Sequence, residues 1–317
     1  MSRKTFPFGV PYSVPLYLAP MAGVSESPFR RLCHAHGADV VVTEFLSAEG
    51  IRRENEATIS KLRFSPDEHP IGVQIFGADP AAMADAAALV TDLFMPDFVD
   101  INFGCPVKKV VRRNGGSGCL RDLDLVQEII RAVSKATPLP VTCKIRSGWS
   151  EEMRDPVGIA LRCQDAGARV LALHARTRTQ MYTGQANWDE IAKVAEALDI
   201  PVLGNGDIKT AADAKRRRKR RRKAPEMTSH VSLHAAVPRA YARSGGRALS
   251  ALWKAIAMPL PVKGGIMAHV SPRHIRPGSG AMTRRSKLTA ATAQNESATS
   301  SLVARRAARL VRPAAWR

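Results

Sequence analysis

Apolar residues along this chain gather into short β-rich runs separated by stretches of helical period. The runs are Leu16–Met21, Val40–Glu44, Ile71–Phe76, Phe98–Phe103, Val141–Arg146, Val170–Arg176 and Pro201–Asp207. Between them, apolar positions recur at helical spacing over Ser27–His36, Pro80–Phe94, Leu123–Ala136, Pro156–Ala166 and Trp188–Leu198. The helical pattern before Ile71, around Glu56–Leu62, is the least clear. Crossovers of this length between strands predict a parallel sheet. The alternation predicts an α/β fold of the TIM (β/α)8 type, with seven strands recognisable and the eighth not. A doubly wound sheet is the alternative, disfavoured because no GxGxxG follows the first run.

Polar residues collect where these runs end. Pro20-Met21-Ala22-Gly23 closes the first and Glu44 the second; Gln74 lies near the end of the third. Lys144 and Arg146 lie on the fifth, His174 and Arg176 on the sixth, and Asn205-Gly206-Asp207 on the seventh. Residues two apart share a strand face. Each cationic pair therefore faces one side, which in a closed barrel is the interior. Charges there are costly without partners, so the cluster makes sense around a polar ligand.

The fourth run ends in Asp100-Ile101-Asn102-Phe103-Gly104-Cys105-Pro106. A thiol thus opens the loop that holds Lys108, Lys109, Arg112, Arg113, Gly115, Gly116 and Gly118. A basic, mobile loop at a strand's C-terminal end is where such a scaffold places chemistry. The bland alternative is a buried, inert cysteine followed by a solvated charge run.

Composition divides the chain. Its formal charge is +20, yet residues 1–210 hold 24 Lys and Arg against 25 Asp and Glu, while residues 211–317 hold 24 against 3. The last third also lacks Phe and Cys. The cysteines (Cys33, Cys105, Cys119, Cys143, Cys163) are odd in number and show no CxxC spacing. That argues against a disulfide framework or a metal site and for a reducing compartment. No run reaches the roughly 20 apolar residues of a membrane span. The first 20 residues are broken by prolines rather than forming a signal-peptide core. A cytoplasmic protein with no membrane partner is expected.

Six blocks, in order, carry a family resemblance. They are Leu18-Ala19-Pro20-Met21-Ala22-Gly23-Val24, Gly72-Val73-Gln74-Ile75-Phe76-Gly77, Asp100 to Pro106, Lys144-Ile145-Arg146-Ser147-Gly148-Trp149, His174 to Gly184, and Gly204-Asn205-Gly206-Asp207-Ile208. Across residues 16 to about 215 the chain resembles the bacterial tRNA-dihydrouridine synthases, flavin-dependent reductases of uridine in tRNA. The resemblance implies FMN across the barrel mouth and NADPH as electron donor. Pro20, Met21 and Ala22 would contact the flavin through their backbone, and Gln74 its ring edge. Lys144 would sit by the N1/C2 carbonyl edge, and His174 by the flavin or the base. Asn205, Gly206 and Asp207 would hold the ribityl-phosphate end. Cys105 would protonate C5 of uracil while hydride reaches C6. Asn102 and Arg176 are weaker candidates for holding the substrate, and Lys108, Lys109, Arg112 and Arg113 for gripping phosphates of tRNA. The base would leave its stack to enter the pocket.

The resemblance stops within the helix after Asp207. Residues 1–215 read as an incomplete catalytic barrel and residues 216–317 as a basic tail, opening with Arg217-Arg218-Lys219-Arg220-Arg221-Arg222-Lys223. The family's eighth strand, ending in Gly-Arg at the FMN phosphate, and its helical domain are not recognisable. Arg, Ala, Pro and Ser enrichment reads as out-of-frame translation of a GC-rich gene, or else as disordered tail; a genuine RNA-binding arm is the rival. An open barrel and weak FMN binding are expected. Val231–Val237 could pair as a substitute eighth strand, though nothing in its pattern demands it. Two other functions stay open: RNA binding through the tail, and an FMN barrel oxidoreductase acting on a free pyrimidine.

Overall fold

The computed structural model describes residues 6–10, 15–220 and 230–233. Its strands are β1 (Leu16–Leu18), β2 (Val41–Val42), β3 (Leu46–Ser47), β4 (Ile71–Phe76), β5 (Phe98–Phe103), β6 (Val141–Arg146), β7 (Val170–His174), β8 (Val202–Asn205) and β9 (His230–Leu233). The helices are α1 (Ser27–Ala35), α2 (Ala48–Arg52), α3 (Glu56–Ile59), α4 (Pro80–Phe94), α5 (Lys108–Val111), α6 (Leu123–Ala136), α7 (Pro156–Asp165), α8 (Trp188–Ala197) and α9 (Ala211–Arg220). Every strand pairing is parallel, in the order β1-β9-β8-β7-β6-β5-β4-β2, with β3 also on β4. A bridge between Tyr17 and Val40 joins the two ends of that order, so the sheet closes on itself. This is the barrel expected from the alternation.

Two departures matter. The expected opening between the first and seventh runs is filled by β9, which pairs Leu203 with His230 on one side and Leu16 with Val231 on the other. β9 overlaps the 231–237 stretch that could serve as a substitute strand, and its His-Val-Ser-Leu sequence alternates polar and apolar as a strand does. The rest of the expected tail, residues 221–229 and 234–317, lies outside the described residues. The second run is also not one strand. Val42 pairs with Gly72 but Leu46 with Ile75, so Thr43, Glu44 and Phe45 face only Val73 and Gln74. This is a one-residue bulge, the device that re-aims side chains at barrel rims. Thr43 Oγ1 accepts the Gln74 N–H at 3.1 Å within it.

Helix starts follow local chemistry. Asp79, Asp122, Asp155 and Asn187 each accept backbone N–H groups at the heads of α4, α6, α7 and α8, and Pro80 and Pro156 occupy the first turns. The N-terminal mouth of the barrel is plugged. Phe8 stacks on Phe98 with centroids 4.4 Å apart, packed with Tyr17, Val40, Val42, Val170 and Leu203. A Cβ on Gly72 would lie 2.1 Å from the Phe98 ring, so only glycine fits that layer. The opposite, C-terminal mouth is polar.

Candidate active site

Strand register builds the polar layers above this apolar floor. Gln74, Asp100 and Thr142 sit side by side on β4, β5 and β6. Asn102 pairs with Lys144 two residues higher, and Arg146, His174 and Asn205 align two above that. All of these side chains are buried. They are satisfied largely by one another, as buried polar groups must be.

One chain of bonds starts at Asp100. Its carboxylate accepts from Gln74 Nε2 and Thr142 Oγ1, both at 2.5 Å. Asn102 Nδ2 donates to Gln74 Oε1 at 2.8 Å. The Asn102 carbonyl then accepts the backbone N–H groups of Gly104 (3.0 Å) and Cys105 (2.8 Å). Asp100, which sequence reasoning passed over, anchors this relay. The alternation Asp100–Asn102 on one strand face was its available signal.

Lys144 donates to Asn205 Oδ1 at 3.2 Å and has no carboxylate within ion-pair distance among the described residues. Burial, then the charge of Arg146, brings its ammonium down to about 8. Beneath it a cavity of about 20 Å³, lined by Tyr17, Asp100, Thr142 and Lys144 among others, has room for one water. Tyr17 Oη is buried there without a hydrogen-bond partner among the described residues.

Arg146 and Arg176 fasten the rim. Arg146 donates to the carbonyls of Gly104 (2.8 Å), Thr177 (3.0 Å) and Met181 (2.9 Å), tying the loop after β5 to the loop after β7. Arg176 donates to Thr183 O, Gly184 O and both oxygens of Asp207, the last two at 2.9 Å. Asp207 also accepts the Ala186 N–H at 2.7 Å. Despite partial burial, these bonds hold its carboxyl below the usual range. Gly206 has φ +123°, and a Cβ there would lie 2.6 Å from Ala186 Cβ and 3.1 Å from the His174 ring. At the end of β1, Pro20, Met21 and Ala22 enter a turn in which Met21 O accepts from Val24 and Ser25.

The Cys105 loop is more built than its glycine content suggests. It folds into α5 and a 3-10 stretch, Gly116–Arg121, whose residues Gly116 to Leu120 are buried. The Cys105 carbonyl accepts from Ser117 N–H (3.1 Å) and Oγ (2.8 Å). Interior contacts of the glycines, with Gly115, Gly116 and Gly118 packed against Val110, Val111 and Cys105, give the loop this shape. The thiol itself is buried, and burial raises its pKa, against smaller opposing effects of the Val107 N–H, Arg146 and Lys144. Lys108, Lys109, Arg112 and Arg113 stand exposed without ion pairs among the described residues.

Among the described residues no His, Cys, Asp and Glu cluster could hold a metal ion, and no helix is long and apolar enough to cross a membrane. The arrangement is a polar barrel mouth with a buried thiol whose pKa is raised, a buried lysine whose nearest carboxylate, Asp100, lies beyond ion-pair distance, and backbone approaches opened by glycine. It suits a planar, partly anionic ligand and a proton transfer beside it.

Known proteins share this fold and sequence. A mandelate oxidase mutant, solved with an FMN adduct, shares the fold at a TM-score of 0.50 and 18% identity, covering 77% of this chain and 71% of that one. The tRNA-dihydrouridine synthase B of Pseudomonas aeruginosa is 45% identical over 210 residues, 65% of this chain and 62% of the relative. A probable tRNA-dihydrouridine synthase of Rhodobacter capsulatus is 40% identical over 203 residues, 64% and 62% of the two chains. The chain thus spans under two thirds of the length of these curated relatives. The family model described as dihydrouridine synthase (Dus) matches residues 17–223, a span that runs from within β1 through β8 and takes in each polar layer of the mouth, and the chain belongs to that family.

Proposed function

We propose that this chain reduces uridine in tRNA to 5,6-dihydrouridine, with FMN as resident cofactor and NADPH as electron donor. The observation that carries the reading is a buried Lys144, without an ion-pair partner among the described residues, near a buried thiol, Cys105, at one polar barrel mouth. Relatives over the matched region bear the corresponding name.

The residues fit the ring end of FMN. Lys144 would meet its N1/C2 edge, Gln74 and His174 its polar rim, and the turn Pro20–Ala22 and Gly206 its close backbone approaches. When bound, FMN supplies hydride for C6 of uracil. Cys105 gives the proton to C5 from the other side. Arg146, Lys144 and the Val107 N–H then stabilise the thiolate left behind. Asn102 positions the Cys105 turn, because its carbonyl is committed to that turn. Arg176 and Asp207 act through the loops they fasten.

The phosphate end is weaker. Among the described residues no Gly-Arg pair closes a strand, so FMN is held loosely and leaves on purification. Turnover therefore needs added FMN. A tRNA substrate places the reaction in the cytoplasm.

The test is to incubate the purified full chain with excess FMN, NADPH and tRNA lacking dihydrouridine, then digest and weigh the nucleosides. The expected product is a uridine heavier by two hydrogens, in tRNA and not in free uridine. No product at saturating FMN refutes the reading. Equal reduction of free uridine moves the chain to a small-molecule pyrimidine reductase.

A further inference from the structure

Trp149, in the loop after β6, carries two guanidinium groups: Arg121 and Arg178 each lie 4.7 Å from its ring. Neither arginine has a carboxylate within ion-pair distance among the described residues. Arg178 Nε is buried and without a hydrogen-bond partner among those same residues. Arg121 is held in place by the Asn114 side-chain oxygen at 2.8 Å and Gly118 O at 3.2 Å, its remaining edge exposed. Two like charges on one indole repel each other, and no carboxylate among the described residues neutralises them. A bound anion would.

Arginine's planar fork matches phosphate, and stacking on an indole leaves the N–H edges of the fork open. The position of the stack adds to the case. Arg121 ends the folded loop that begins at Cys105, and Arg178 follows β7 four residues after His174. The exposed cations Lys108, Lys109, Arg112 and Arg113 belong to that same Cys105 loop. An RNA strand whose base enters the mouth must carry its neighbouring phosphates across this rim.

We propose that the Arg121–Trp149–Arg178 stack is a docking site for the phosphate backbone of an RNA strand, beside the nucleotide whose base enters the barrel. This rests on the tRNA reading above. Docking there bears on the loop that positions Cys105, so RNA binding and placement of the acid are linked through Arg121.

The experiment measures tRNA affinity of the full chain against salt concentration, for wild type, Arg178→Ala, Arg121→Ala and the control Arg131→Ala on the exposed side of α6. Each stack variant should flatten the slope of log affinity against log salt by about 1, the signature of one phosphate left unneutralised. The control should keep the wild-type slope. Unchanged slopes in both stack variants, or equal flattening in the control, overturn the proposal while leaving the tRNA reading intact. Binding of polyglutamate with the same dependence on Arg121 and Arg178 also overturns it, since the site would then accept any polyanion. Failure of wild type to bind tRNA at any salt overturns both.

Discussion

The side-chain carbonyl of Asn102 accepts the backbone N–H of Cys105 at 2.8 Å. The same oxygen takes the Gly104 N–H, and the amide nitrogen reaches Gln74, which is held in turn by Asp100. The thiol's position is therefore set from inside the barrel, two layers below the mouth.

Asn102→Ala removes that acceptor and frees the turn. A displacement of the acid by about 1 Å costs on the order of a hundredfold in rate. Single-turnover oxidation of pre-reduced flavin by tRNA should slow by roughly 10- to 100-fold. FMN affinity, titrated by fluorescence, should change little by comparison, because the ring contacts assigned to Lys144, His174 and Gly206 remain. Equal losses in both would show that Asn102 serves the cofactor instead.

Lys144 gives a pH signature. Its ammonium titrates at about 8 in the free protein, lowered by burial and then by Arg146. A hydrogen-bond acceptor that favours the ammonium form raises that value, so binding takes up a proton above pH 8. FMN affinity should be level below about pH 8 and fall by up to about tenfold per pH unit above it. Lys144→Met should bind more weakly with no such decline; a wild-type profile level to about pH 10 would contradict the assignment.

The Arg176–Asp207 pair joins β7 to the loop after β8, with Arg176 only 3% exposed. Removing Arg176 leaves a partly exposed Asp207 and the carbonyls of Thr183 and Gly184 without their donor, a cost of about 3 kcal/mol. Arg176→Ala should lower the melting temperature by roughly 6–12 °C, and Arg176→Lys should recover only part, since one ammonium cannot span Thr183, Gly184 and Asp207. A melting temperature within a degree or so of wild type would deny the clamp its weight.

Closure by β9 is tested at its centre. Val231 pairs with Leu16 on one side and Gly204 on the other. Val231→Pro removes its N–H from the ladder and should destabilise by about 3 kcal/mol or more. Thermal unfolding unaltered by the substitution would mean that the barrel closes without this strand.

Much of the barrel is legible in the sequence. β-rich runs such as Phe98–Phe103 become strands buried on both faces, and Asp79-Pro80 and Asp155-Pro156 begin helices as their chemistry dictates. The mouth residues Gln74, Lys144, His174 and Asn205 converge because spacing of two keeps one face. Three features are not legible. The bulge at Thr43–Phe45 depends on the register of β4, which no local pattern encodes. The place of β9 in the sheet is not legible either: its His-Val-Ser-Leu alternation allows a strand, as the 231–237 stretch suggests, but four residues do not fix its partners. The folded shape of the Cys105 loop depends on contacts such as Ser117 to Cys105 O, between residues whose meeting only the fold decides.

The central claim is that Cys105 is the acid. With FMN in excess and reduced beforehand, single-turnover oxidation by tRNA is followed in wild type and Cys105→Ala. The account predicts slowing of roughly 10²- to 10⁴-fold in the variant with tRNA affinity unchanged. A variant within a few-fold of wild type would contradict it and assign the proton to another group.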